Sequence, residues 1–266
     1  MNESVDALIL DRDCILPDWP APRAVRAFVT TRAGGVSTGA RASLDLGGHT
    51  SVENDVLENR RRVRALLPNE PHWMHQVHGK DVVTLDRSSR TDAWPRADAA
   101  VTASTDVVCA VRVADCLPVL LSDVGAGCVG VAHAGWRGLA AGVLEATVDA
   151  MRALGSAQQI AWLGPAIGPA AFEVGAEVRE AVGTHDEAAL ACFTPGAPGK
   201  WHADLYALAR LRLRSRGVHA VHGGGLCTRT DAKRFFSYRR EPDTGRMAAL
   251  IWLHHDSEAP DVRGPR

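Results

Sequence analysis

Residues 107–138 read VVCAVRVADCLPVLLSDVGAGCVGVAHAGWRG, and the rest of the chain is organised around them. Two apolar runs, Val107 to Val113 and Cys128 to Ala132, carry β-branched residues and are bounded by Gly, Asp or Pro, which favours strand over helix. The first runs into Ala114-Asp115-Cys116 and the second into His133-Ala134-Gly135-Trp136-Arg137-Gly138. A strand end is aimed by a rigid sheet while staying accessible, so sites form there. A thiol and an imidazole at two adjacent strand ends are therefore expected to share one metal ion or one substrate.

A third donor lies upstream, in His72-Trp73-Met74-His75-Gln76-Val77-His78-Gly79. Cys, His and His suit Zn²⁺, which takes thiolate and neutral imidazole, and three protein ligands with an open fourth position describe a catalytic ion. The donors are far apart in sequence, so no short CxxC spacing carries the reading. The residues alone leave open a buried Cys acting as a small hydrophobe, with histidines hydrogen bonding at loops. His75 and His78 reach one site together only if the chain bends between them.

Composition sets the bounds. The 266 residues are 46% hydrophobic and 23% charged, an ordinary globular balance with enough apolar side chain for a sizeable core. A formal net charge of −1 gives no reason to expect nucleic acid or a membrane surface as partner. The six cysteines, at 14, 109, 116, 128, 192 and 227, have no framework spacing. With no signal peptide visible, a reduced cytoplasmic compartment is the expectation. No apolar run approaches the roughly 20 residues of a membrane span. The length allows one large domain or two small ones, with loose termini at about 1–22 and 256–266. The oligomeric state is not legible.

In chain order, Val25 to Thr31 reads as a strand leading into a glycine-rich loop, which is either a hairpin turn with a solvated Arg32 or a ligand loop where Arg32 meets an anion. Val52 to Leu67 reads as a helix, with Arg60, Arg61 and Arg62 on a solvated face. Val82 to Leu85 reads as a strand. Leu139 to Leu154 reads as a helix closed by Gly155, preceded by Gly135 to Gly138, whose free N–H groups would suit an anion. Trp136 reads as a packing residue. Short strands are expected at Ile160 to Gly164, Phe172 to Val174 and Val218 to Val221, and a core strand at Met247 to Leu253. Helices are expected at Ala176 to Val182 and at Leu205 to Arg216, the latter capped by Asp204. Residues 183–203 read as irregular surface. Gly223-Gly224-Gly225 are not followed by the Lys-Ser/Thr pair of a nucleotide P-loop. No dinucleotide fingerprint follows the first strand. Alternating short strands and helices without a simple βαβ repeat predict an α/β fold with mixed sheets.

The words HQVHG (75–79), ADCLPVLL (114–121), AHAGWRG (132–138), GPAIG (164–168) and FFSYRR (235–240) resemble the YfiH or laccase-domain family. So do TTRAGGVS (30–37), SLDLGGHT (43–50), ENRRR (58–62) and TGRMAALIWL (244–253), and the resemblance spans nearly the whole chain. It implies a single domain over 1–266 with α/β/β/α layering. It implies the metal ligands His78, Cys116 and His133, with Cys116, His133 and Asp115 as catalytic groups. It places substrate near Arg32, Gln76, Arg137, Tyr238 and Arg239, Arg32 being the first expected holder of phosphate.

The activity implied is zinc-dependent phosphorolysis of purine nucleosides (adenosine, inosine, methylthioadenosine), with adenosine deamination by zinc-bound hydroxide. Nucleoside and phosphate would then be the partners. Asp115 would move protons, or merely shape a strand end. The alternatives are a Cys116-dependent amide hydrolase in peptidoglycan precursor editing, and a copper polyphenol oxidase. Copper ranks lowest, because multicopper sites use paired HxH elements and the chain has none.

Overall fold

Between the two expected strands lies a third. In the computed structural model, which describes residues 13–48, 51–184 and 186–254, only Ala114, Asp115 and Cys116 separate β6 (Val108–Val113) from β7 (Leu117–Asp123); β8 (Val129–Ala134) follows. Pro118 argues against a strand interior in the sequence, since it lacks an N–H for the ladder. It is tolerated as the second residue of β7, where its carbonyl accepts from Gly164 N at 2.9 Å.

The chain changes sheets between β6 and β7. A five-stranded sheet has the order β1 (Cys14–Ile15), β2 (Val25–Thr30), β14 (Met247–Leu253), β6, β3 (Pro71–His72). A six-stranded sheet has the order β13 (Val221–Gly223), β9 (Gln159–Leu163), β7, β8, β5 (Ala99–Thr102), β4 (Val82–Leu85). Both are mixed: β3 with β6, β13 with β9 and β4 with β5 run parallel, and the other neighbours antiparallel. A small sheet adds β10 (Glu173–Gly175), β12 (Lys200–Ala203) and β11 (Phe193–Pro195).

The two large sheets pack face to face. Cys109, Val111, Ala249 and Ile251 from one meet Ala100, Leu120, Val129 and Val131 from the other. The alternate residues Val108, Ala110, Ala248 and Leu250 turn outward onto Val63 of α1 (Glu53–Arg64) and Leu67 beyond it. On the opposite outer face, Leu117, Val119 and Leu121 pack with Leu144, Val148 and Met151 of α3 (Val143–Ala153) and Leu208 and Leu213 of α5 (Leu205–Ser215). This is the α/β/β/α layering that the resemblance implied. Strands buried on both faces read as continuous apolar runs rather than alternating ones. Cutting one fully buried residue such as Leu120 to Ala costs about 2–5 kcal/mol.

Several local expectations shift. The helix expected at 139–154 begins earlier and breaks: α2 (Trp136–Ala141) ends where Gly142 takes φ +94°, and α3 starts there. Glycine reaches that left-handed geometry without a Cβ penalty. The strand expected at Val218 to Val221 lies at Val221–Gly223, with Val218 buried against the helices. Residues 183–203 are not merely irregular. They follow α4 (Ala176–Gly183) with a 3₁₀ turn at Glu187–Cys192 and then β11 and β12, because Ala189, Phe193 and Ala203 are buried. Asp204 caps α5, accepting from Tyr206 N at 2.9 Å and Ala207 N at 3.0 Å.

The arginine run on α1 is divided. Arg61 and Arg62 pair with Glu58, while Arg60 turns inward over the rings of Trp73 and Trp94. Within the terminus expected to be loose, Cys14 and Ile15 pair with Thr30 and Val29. Residues 1–12 and 255–266 lie outside the described residues.

Candidate metal centre

The pairing of β7 with β8 builds the site. Leu117 sits opposite Ala134 and Pro118 opposite His133, so Cys116, just before β7, comes beside His133 near the end of β8. The adjacency expected of two strand ends thus arises differently. β6 and β8 belong to different sheets, and β7 is the strand that brings the thiol to the imidazole. His78 arrives from the loop before β4 with φ +60°, a left-handed conformation unusual for a residue with a Cβ. The donor atoms of His78, Cys116 and His133 all lie within 4.8 Å of one another, and the two imidazole rings meet edge-on at 71°. His78 is exposed, Cys116 half-buried and His133 only 4% exposed.

Asp98, fully buried one residue before β5, holds this group together. Its Oδ1 lies 2.8 Å from His133 Nδ1 and accepts from His78 N at 2.9 Å. Its Oδ2 accepts from Val77 N at 3.0 Å and Gly79 N at 2.8 Å. Burial opposes its ionisation, but His133 and the loop N–H groups outweigh burial and hold the carboxyl below the usual range. With Nδ1–H given to Asp98, His133 presents Nε2 as the free donor, the arrangement that orients histidine ligands in metal sites. Asp98 is the functional residue that sequence reasoning misses. Its only signal is a carboxylate opening the apolar run Ala99-Ala100-Val101.

Charge favours the ligand form of Cys116, the thiolate, but the protonated form of His133, so a bound ion would displace a proton from that ring. Burial opposes the Cys116 thiolate, yet the adjacent His133 charge and hydrogen bonds from His133 and His78 bring it down to about 6. Burial likewise opposes protonated His133, but Cys116 and Asp98 raise it to about 9. Burial pushes Cys14 and Cys109 up to about 12, and Cys128 and Cys192 up to about 11. Gly135 leaves room between the donors: a Cβ there would sit 2.8 Å from Cys116 Sγ and 3.3 Å from His78 Cδ2. Two imidazoles and one thiolate around an uncrowded point fit a single borderline-soft ion such as Zn²⁺ or copper.

The donors open onto a cleft of about 970 Å³. Arg137, Tyr238 and Arg239 line it, as does Gln76, whose amide exchanges two 2.8 Å hydrogen bonds with the Arg112 backbone and ties the HQVHG loop to β6. His75 also lines the cleft, its ring 5.4 Å from that of Trp94, and is not one of the three clustered donors.

Asp115 has both carboxylate oxygens engaged, accepting from Thr228 Oγ1 and from Arg239 N, each at 2.6 Å. Arg32 is not among the cleft-lining residues. It lies over Phe236 and donates to Ala42 O at 2.7 Å and Ala232 O at 2.9 Å, so it ties loops together. The neighbouring Gly35 is needed for close packing, since a Cβ there would meet Ser43 O at 2.2 Å. Arg112 and Arg246, not singled out from the sequence, line the cleft instead. Cys227 accepts from Gly168 N at 3.2 Å, joining the GPAIG loop to the segment after the glycine triplet.

The family described as multi-copper polyphenol oxidoreductase laccase matches residues 26–254. A Pseudomonas aeruginosa protein named purine nucleoside phosphorylase PA4543 is 55% identical over 244 residues, covering 90% of this chain and 98% of that one. The Escherichia coli protein named purine nucleoside phosphorylase YfiH is 51% identical over 242 residues, with the same coverage. The crystal structure of Neisseria meningitidis protein NMB0706 superposes with a TM-score of 0.84 at 44% identity, covering 92% of this chain and 100% of that chain.

Proposed function

The chain belongs to the family described as multi-copper polyphenol oxidoreductase laccase, and from that premise we propose that it is a zinc-dependent purine nucleoside phosphorylase that also deaminates adenosine. Adenosine, inosine and methylthioadenosine are the proposed nucleosides. The observation that carries this reading is the His78–Cys116–His133 donor group opening onto an arginine- and aromatic-lined cleft. Relatives at 55% and 51% identity carry the name purine nucleoside phosphorylase, which supports it.

Phosphorolysis forms a bond from a phosphate oxygen to C1′ of the ribose and breaks the C1′–N9 bond. The base leaves with a proton and ribose 1-phosphate remains. Bound zinc would supply Lewis acidity, and would lower the pKa of a water to about 7.

The chain's own residues do the rest. His78, Cys116 and His133 would hold the ion, and Asp98 fixes the donor tautomer of His133. Tyr238, exposed at the cleft, gives a purine ring a face to lie against. The cleft arginines supply charge-assisted donors for phosphate. Asp115 acts as a positioning residue, holding the Arg239 backbone and Thr228.

A second reading has its own support. Cys116, His133 and Asp98 form a thiolate–imidazole–carboxylate series, which would suit an amide hydrolase with Cys116 as nucleophile. Among the described residues, one three-donor group is present, which supports a single ion over a multicopper array.

Protein purified without an affinity-tag metal would be assayed for metal content, then given adenosine, inosine and phosphate together, with products resolved by chromatography. Free base with ribose 1-phosphate is expected, along with inosine from adenosine. Inert nucleosides in the presence of phosphate and bound zinc would overturn the proposal and favour amide hydrolysis.

A further inference from the structure

We infer that Arg112 and Arg246, gathered around the Gly47–Gly48 turn at one end of the cleft, form the subsite for a phosphate dianion, supplied as free inorganic phosphate. The assignment to a co-substrate rests on the phosphorolysis reading; the anion site itself rests on the geometry below.

Three guanidinium groups crowd one glycine turn. A Cβ on Gly47 would lie 2.7 Å from Arg60 Nη2 and 3.5 Å from Arg112 Nη1, and one on Gly48 would lie 3.6 Å from Arg246 Cζ. Gly47 has φ +107°, so the turn both requires glycine and leaves the cations their space. Arg60 and Arg112 each lie 4.9 Å from the Trp94 ring centroid.

Neutral carbonyls anchor all three. Arg60 donates to Leu46 O, Arg112 to Gly47 O and Met74 O, and Arg246 to Thr244 O and Gly245 O. Among the described residues, none of the three has a carboxylate oxygen within ion-pair distance. The nearby carboxylate, Asp45, is already used. Its Oδ1 accepts from Gly47 N and Arg246 N, and its Oδ2 from Ser51 Oγ. Arg112 Nε is buried without a partner.

The Asp45 charge acts on all three guanidinium groups, but one carboxylate against three cations leaves a positive surplus that a bound anion would offset. Burial, then the neighbouring Arg60 and Arg246 charges, pulls Arg112 down to about 10. Burial lowers Arg246, against the raising charges of Asp45 and, after it, Cys116 and Asp115, and Arg246 lines the same cleft as Cys116. A phosphate on Arg112 and Arg246 would therefore share one cleft with the ion-binding group. Forked guanidinium donors match phosphate geometry. The other cleft arginines suit this less well: Arg96, Arg137 and Arg239 are exposed, and Arg239 is tied to Glu173 O.

The test uses zinc-loaded full-length protein and isothermal titration calorimetry with inorganic phosphate, and separately with adenosine 5′-monophosphate. Wild type should bind one phosphate. Arg246→Gln and Arg112→Lys should each weaken phosphate binding about tenfold or more, with the KM for phosphate rising in step and the KM for inosine nearly unchanged. Arg90→Ala, an exposed pair with Asp92, is the control. Circular dichroism and zinc content establish that each variant is folded; if Arg112→Lys is not, Arg246→Gln decides alone. Unchanged phosphate affinity in the folded variants overturns the subsite. Arginine-dependent binding of the nucleotide but not of phosphate assigns the charge to a 5′-phosphate and overturns the co-substrate assignment. Arginine-dependent phosphate binding without any phosphorolysis keeps the anion site and sinks the proposed activity instead.

Discussion

Asp98 Oδ1 lies 2.8 Å from His133 Nδ1, and the same carboxylate receives the N–H groups of Val77, His78 and Gly79. One buried side chain thus sets the ring of one metal-ligand candidate and the backbone of another. The left-handed φ of His78 is held by these bonds, not by local preference.

Asp98→Asn is expected to lower zinc affinity by about 10–100-fold, the usual effect of losing a carboxylate behind a histidine ligand. Competition against a chelator of known affinity measures it. Zinc affinity equal to wild type would remove Asp98 from the site.

Zinc stoichiometry tests the ligand assignment. Wild type should carry about one ion per chain, the number that three ligands with an open position hold. Cys116→Ala and His78→Ala should lose it. Cys14→Ala, Cys192→Ala and His75→Ala should keep it, although His75→Ala can still reduce activity from its place in the cleft. Full zinc in Cys116→Ala, or its loss in His75→Ala alone, would contradict the assignment.

Gly135→Ala places a methyl 2.8 Å from Cys116 Sγ and 3.3 Å from His78 Cδ2. Its backbone, φ −69° and ψ 167°, is open to alanine, so the fold should survive. Zinc binding and activity should fall together while the melting temperature of metal-free protein stays close to wild type. Normal zinc affinity would show that the donors meet elsewhere.

Alkylation of Cys116 in chelator-treated protein should depend on pH. Its thiolate is present above about 6, so iodoacetamide labelling should be near its maximum at neutral pH and decline as pH falls through 6. Cys14 and Cys109, held near 12, and Cys128 and Cys192, held near 11, should stay unlabelled at neutral pH until denatured. Mass spectrometry of the Cys116 peptide gives the profile, and zinc should protect it. A midpoint near the ordinary thiol value of 9.0 would contradict the charge arrangement.

Apolar runs and caps are local, and so the sequence alone determined β2, β6, β8, β14, α1 and the Asp204-capped α5 to within a few residues. The chemistry of Cys116 and of the HQVHG and AHAGWRG histidines was also legible, since the residue type itself carries the donor atom. The meeting of Cys116 and His133 at strand ends was legible too, but not β7, the strand that makes it. Tertiary structure alone decided that they meet through the antiparallel β7–β8 register rather than through β6 beside β8, a register set by which faces each strand buries. It alone gave Asp98 its role, because hydrogen bonds across 19 to 35 residues leave no periodic trace. It likewise moved Arg32 out of the cleft and brought Arg112 and Arg246 in, since a guanidinium's partners depend on which carbonyls and glycine turns the packed layers bring within its reach.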